Sequence, residues 1–180
     1  MVPIEWFMIA LWLVFAFVGV SRHFPRELGA TIGFVGMLLG FSLSGGYVFQ
    51  FAGQLAGLFG SSPQVVTLAI YTLIIVSSVI ALYSGETFTF IGQWPPSPLL
   101  GTVIDITIAL FNGWLVVGTW WFYMHSLGYP QQAWGMFQPP ISDLAKQLVA
   151  LTPLAVVPET QSTWVFGMAL VGLIALKVKR

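Results

Sequence analysis

Ser21-Arg22-His23-Phe24-Pro25-Arg26-Glu27 separates two long apolar runs, Val2–Val20 and Leu28–Phe49. Four of its seven side chains, Arg22, His23, Arg26 and Glu27, can carry charge, in a chain where only 7% of residues are Asp, Glu, Lys or Arg. A short polar island between runs of this length reads as a tight turn joining two membrane-spanning helices. Basic residues collect on the cytoplasmic side, so Arg22 and Arg26 with Glu27 mark a cytoplasmic turn and place the start of the first span outside.

Composition points the same way. The 180 residues are 57% hydrophobic, above the roughly 45–50% of soluble domains, whose charged fraction is roughly 25%. Several apolar stretches reach the roughly 17–25 residues that cross a bilayer. The expected fold is an all-α integral membrane protein, a single transmembrane domain of about five helices. The spans are expected at about 4–20, 27–49, 65–83, 99–123 and 163–177. A short amphipathic helix is expected at about 140–152, with Leu144, Leu148 and Leu151 on one face.

Zero formal net charge gives no support for a nucleic-acid partner. The absence of cysteine removes disulfides, thiolate chemistry and cysteine-ligated metals. Met1-Val2-Pro3-Ile4-Glu5 lacks a basic leader region, so the first span is expected to be retained rather than cleaved. No nucleophile-elbow, zinc-protease or phosphate-loop pattern occurs, and the acidic residues are too scattered for a paired-carboxylate site. No catalytic residue, metal or cofactor is assigned. His23 and His125 are expected at opposite membrane faces and so cannot share a metal.

Between the spans, Gly45-Gly46 is expected to loosen the end of the second. Residues 50–64 read as a short interfacial helix stopped by Ser61-Ser62-Pro63. The segment 85–98, carrying Phe88, Phe90 and Trp94, reads as a loop on the headgroup region. Trp120, Trp121, Phe122 and Tyr123 read as an aromatic belt closing the fourth span. The tail 164–176 is apolar but would reach only about 20 Å as a helix. Charge logic nevertheless favours a full crossing: Lys177, Lys179 and Arg180 share a side with Arg22 and Arg26 only after an even number of crossings.

Two constellations carry functional expectations. Gly29, Gly33, Gly36 and Gly40 fall on one face of the second span, where small residues let a neighbouring backbone approach. That neighbour is either another span of the same chain or a second copy. Asp105 and Asn112 share one face of the fourth span. An ionisable residue within a span is a functional candidate by default. Asp105 is read either as a structural bond to Arg22, Arg26 or a helix N-terminus, or as a carboxylate on a proton or solute path. Asn112 is read as an interhelical hydrogen bonder.

Arg22-His23-Phe24-Pro25-Arg26-Glu27 resembles the Arg-Gly-Phe-x-Arg-Glu pattern of the colicin V production protein family of bacterial inner-membrane proteins, with His23 where the family usually has Gly. Pro3-Ile4-Glu5-Trp6, the glycine-spaced second helix, Leu100-Gly101, Asn112-Gly113 and Ile141-Ser142-Asp143-Leu144 extend the resemblance. It implies a bacterial inner-membrane protein linked to the export or production of a secreted toxin, without a reaction. The expectation is a non-enzymatic accessory or scaffold protein. It would contact lipids and other membrane proteins, or itself, through the Gly29–Gly40 face and the Trp-rich outer end of the fourth span. Two alternatives stay open: a small channel or transporter-like subunit using Asp105 and Asn112, and a lipid- or pigment-contacting subunit of a respiratory or photosynthetic complex.

Overall fold

The computed structural model describes residues 2–85, 90, 98–130, 137–138 and 142–178. Most of the expected headgroup loop, with Phe88 and Trp94, and the terminal Lys179 and Arg180 lie outside the described residues. The described residues are almost entirely helical. In order come α1 (Ile4–Phe59), α2 (Pro63–Ser84), α3 (Pro98–Gly113), a π-helical turn (Trp114–Gly118), α4 (Thr119–Ser126), α5 (Asp143–Ala150), α6 (Pro153–Val156) and α7 (Glu159–Val178). Two-residue strands β1 (Val2–Pro3) and β2 (Phe137–Gln138) pair in parallel. Among the described residues four stretches are long and apolar enough to cross a membrane: α1, α2, Leu99–Ser126 and α7.

α1 is not one rod. His23 breaks its helical geometry at φ 63° and ψ 155°, and contacts with the α3–α4 stretch show that the chain reverses there. Asp105 meets His23 and Phe24, Ala109 meets Gly19, and Gly113 meets Trp12 and Phe15. Further along, Val117, Trp121 and Met124 share a core with Ile4 and Met8. The same stretch meets Thr31 and Glu27 through Asn112, and Phe41 through Tyr123. One arm of α1 therefore runs against residues 105–124 and the other runs with them. The expected turn is present as a helical hairpin, with Pro25 in the first turn of the second arm, where a missing N–H costs least.

The remaining helices follow by the same reasoning. Tyr83, late in α2, lies at the hairpin turn, while Tyr71 packs on Phe41 at the other end. α7 begins beside Gly45 and brings Leu170 opposite Gly36, so it ends on the turn side, as the even-crossing argument requires of Lys177. The main core lies between these elements, with Phe34 and Leu38 fully buried and Tyr71, Ile75, Val116 and Phe166 around them.

Several boundaries differ from expectation. Gly45-Gly46 does not loosen the second arm, and no separate interfacial helix follows it. The helix continues to Phe59 and stops at Gly60, whose φ of 61° caps it in the left-handed region. Residues 24–59 thus reach about 54 Å, well beyond a hydrocarbon core of about 30 Å. The expected break at 61–63 is present, with Ser62 Oγ accepting from the Val65 N–H at 3.3 Å. The fourth span is interrupted by the π-helical turn. The tail helix starts four residues earlier than expected, and its 20 residues give about 30 Å, a full crossing length. The surface helix is α5, shorter than 140–152 and capped by Ser142 Oγ on the Ala145 N–H at 3.0 Å. Ala145 and Val149 turn inward, while Leu144 and Leu151 are exposed. An apolar stripe picked by spacing alone does not say which of its edges meets the bundle.

Candidate functional site: a buried polar cluster behind the turn

The turn residues are not all at the surface. Glu27 is fully buried, one turn into the second arm of α1. Its Oε1 accepts from Arg22 Nε at 2.9 Å, and its Oε2 accepts from Tyr83 Oη at 2.9 Å and Asn112 Nδ2 at 2.8 Å. The carboxylate thereby ties the first arm of α1, α2 and α3 to the second arm. The sequence places Glu27 with the polar turn; the structure adds that its side chain points into the bundle. A carboxylate taken out of water needs a cation and several donors, and all are supplied from within the chain.

The cluster extends outward from Glu27. Arg22 also donates to the main-chain carbonyls of Tyr83 and Leu82, and its guanidinium lies 4.3 Å from the centroid of the Tyr83 ring. Those carbonyls belong to the last turn of α2, where orphan acceptors and the negative end of the helix dipole favour a cation. Asn112 is fully buried; its Nδ2 also donates to the Glu27 carbonyl at 2.9 Å, and its Oδ1 accepts from Thr31 Oγ1 at 2.7 Å. Arg26 is exposed and makes interactions of its own.

Asp105 forms a second bonded group one helical turn away. Its Oδ1 accepts from the Phe24 N–H, and its Oδ2 lies 3.1 Å from His23 Nδ1. Asp105 thus caps the second arm of α1 from a different helix, the structural bond to a helix N-terminus weighed from sequence. The backbone at His23 occupies a region that is essentially reserved for glycine. Asp105 holds both His23 and the amide after it. Phe90, from the otherwise undescribed segment, is buried and donates its N–H to the Pro25 carbonyl at 3.2 Å.

Asp105 and Asn112 therefore share a face of α3 but join different bonded groups. Spacing in the sequence missed Tyr83 and Thr31. Tyr83 ends an apolar span on the turn side, and Thr31 lies one turn after Glu27. Both are positions that a search for partners of a buried acid would have reached.

The four glycines do not form one groove. Gly29 is buried; a Cβ on Gly33 would collide with Leu82 of α2; and, among the described residues, Gly36 has Leu170 of α7 at 4.0 Å and Gly40 has nothing within 4 Å. The tightest approach is elsewhere, at Gly19, where a Cβ would run into Ala109 of α3. The expected aromatic belt is also drawn inward. Trp121 is buried, Tyr123 stacks on Tyr71 with centroids 3.8 Å apart, and Trp120 donates to Thr72 Oγ1 at 2.9 Å. Much of this aromatic cluster is thus used for packing within the chain, while Phe122 is half-buried and His125 exposed.

His125 lies at the end opposite His23, with its Nδ1 3.1 Å from Tyr129 Oη. Burial pushes the Tyr129 phenol up to about 12. No group of three or more metal-ligating side chains occurs among the described residues. Comparison of the chain with protein families, curated proteins and solved structures finds no match.

Proposed function

We propose that this chain is a multi-pass accessory or scaffold protein of a bacterial inner membrane, similar to the colicin V production family and acting through helix contacts rather than a reaction. It would cross the bilayer five times, α1 counting twice, with the turn and Lys177 inside and the start of α1 outside. The observation that carries this reading is that both acids behind the turn, Glu27 and Asp105, are committed to holding helices together. The outward faces offer apolar surface instead, with Trp164, Met168 and Val171 of α7 about two-thirds exposed or more. The resemblance gains support from His23, which occupies a glycine-type conformation where the family usually has Gly.

The contact face is narrower than the four glycines. Gly33 is covered from within the chain, which leaves Gly36 and Gly40 beside the lightly packed α7 as the patch for a partner or a second copy. Replacing both with Leu tests the reading. Co-purification from mild detergent and energy transfer between labelled copies in vesicles are expected to fall several-fold while the helical content stays unchanged. Association at the parental level by both measurements overturns the proposal. The channel reading has less to stand on, since Asp105 and Asn112 are both bonded within the bundle.

A further inference from the structure

At the end opposite the hairpin turn, α1, α2, α4, α6 and α7 leave a cleft of about 400 Å³, within the roughly 300–1,000 Å³ usual for small-molecule sites. Its inner wall is aromatic. Tyr71 and Tyr123 are stacked, and Phe41 meets each of them edge-to-face, at 5.0 and 5.5 Å between centroids. Ser42, Thr67, Ser126 and Ser162 add hydroxyl oxygens, each of which already donates its proton to a main-chain carbonyl of its own helix and keeps acceptor capacity only. Gly45 and Gly46 form part of the wall without side chains, and Gly46 has nothing within 4 Å of where a Cβ would stand.

The charge balance of this cleft is one-sided. Among the described residues Glu159, in the first turn of α7, is the one charged side chain on the wall, and no described Lys, Arg or His lines it. None of the described ion pairs includes Glu159. Carboxylate, aromatic rings and hydroxyls together recognise an organic ammonium, through charge at one point and ring quadrupoles around it. The cleft edge carries Leu43 and Phe49, both exposed, so an apolar part of the same molecule has a route outward along apolar surface.

We propose that this cleft binds an amphiphilic organic ammonium, with the cationic head at Glu159 and the tyrosines and the apolar portion leaving past Leu43 and Phe49. Such a head belongs either to a free lipophilic amine or to a phospholipid with an ammonium headgroup. The site is separate from the Gly36–Gly40 patch, so its test does not depend on the association reading.

The experiment titrates the full-length protein, in a neutral detergent, with decyltrimethylammonium and with decanol as the uncharged match, following binding by calorimetry. Saturable binding of the ammonium but not of the alcohol is expected. Glu159→Gln is expected to weaken it about fivefold, the scale of a partly exposed ion pair. Gly46→Leu, which fills the cleft without altering charge, is expected to abolish it. Native mass spectrometry with phosphatidylethanolamine and phosphatidylglycerol then separates the sources. Preferential retention of phosphatidylethanolamine, lost in Glu159→Gln, assigns the head to a lipid; equal retention of both assigns it to a free amine. Equal binding of ammonium and alcohol overturns the proposal, as does ammonium binding that neither substitution changes. Sensitivity to Gly46→Leu alone also overturns it, because the cleft would then be an apolar slot indifferent to charge.

Discussion

The two ends of this bundle treat their acids in opposite ways. At the turn end, Glu27 is fully buried and surrounded by donors from Arg22, Tyr83 and Asn112, each on a different segment. At the far end, Glu159 is exposed on the rim of an open cleft and enters none of the described ion pairs. A buried carboxylate that ties several helices together contributes to architecture, and removing it leaves its partners stranded. An exposed carboxylate at a cleft contributes little to the fold and is available to a ligand. The difference teaches where to look for function in a chain with so few charges: the acid that is best bonded is the least available.

The largest effect tests this contrast directly. Glu27→Ala strands Arg22, whose side chain is only 13% exposed, together with the Tyr83 and Asn112 donors. Breaking a buried pair in this way costs about 3–5 kcal/mol. Glu27→Gln, which keeps an acceptor, is expected to cost less. Glu159→Ala is expected to leave the unfolding midpoint where it was. Thermal or denaturant unfolding in micelles, followed by circular dichroism, ranks the three, and equal midpoints for Glu27→Ala and Glu159→Ala would erase the distinction between the ends.

A second, smaller effect separates the turn-side packing from the open side of the bundle. Gly19 lies where α1 and α3 come closest, with Ala109 against it. Gly19→Val forces those helices apart and is expected to cost about 1–3 kcal/mol, as overpacking does. Gly40→Val, with nothing within 4 Å, is expected to stay within about 0.5 kcal/mol of the parent. The same unfolding assay decides it; a Gly40 variant as damaged as the Gly19 variant would mean that α7 or another neighbour packs closer there.

The legible part of the structure was what charge and length control. The island Arg22–Glu27 announces a reversal because charged groups are costly within an apolar helix, and the apolar run before Lys177 announces a helix, which the structure extends to 20 residues. Close packing was not legible. Four glycines at helical spacing look alike in sequence, yet a Cβ on Gly33 would displace Leu82 while Gly36 and Gly40 have room for one among the described residues, and a tighter contact uses Gly19, which has no such pattern around it. Spacing fixes which residues share a face but not which helix arrives opposite. The burial of the acid at position 27 was not legible for a related reason. Sequence position put it in a polar turn, whereas its depth was decided by Tyr83 and Asn112, 56 and 85 residues away. The far-end cleft had no sequence signal, because its wall is assembled from five separate segments.

The smallest effect concerns the turn itself. His23 holds φ 63° and ψ 155°, a conformation that costs a residue other than glycine about 1–3 kcal/mol. In return its ring approaches Asp105, an interaction worth at most about 1 kcal/mol when one partner is largely exposed. His23→Ala keeps the strain and loses the ring contact, so it is expected to destabilise slightly. His23→Gly loses the same contact but also loses the strain, while the freer unfolded chain takes back about 0.4–1 kcal/mol. The glycine variant is therefore expected to unfold later than the alanine variant by about 1 kcal/mol. Asp105 still caps the Phe24 N–H in both, so the difference between them reports the backbone at position 23 and not the cap. If the two variants unfold together, the chain does not pass through a left-handed residue at the turn, and the strain assigned to His23 is absent.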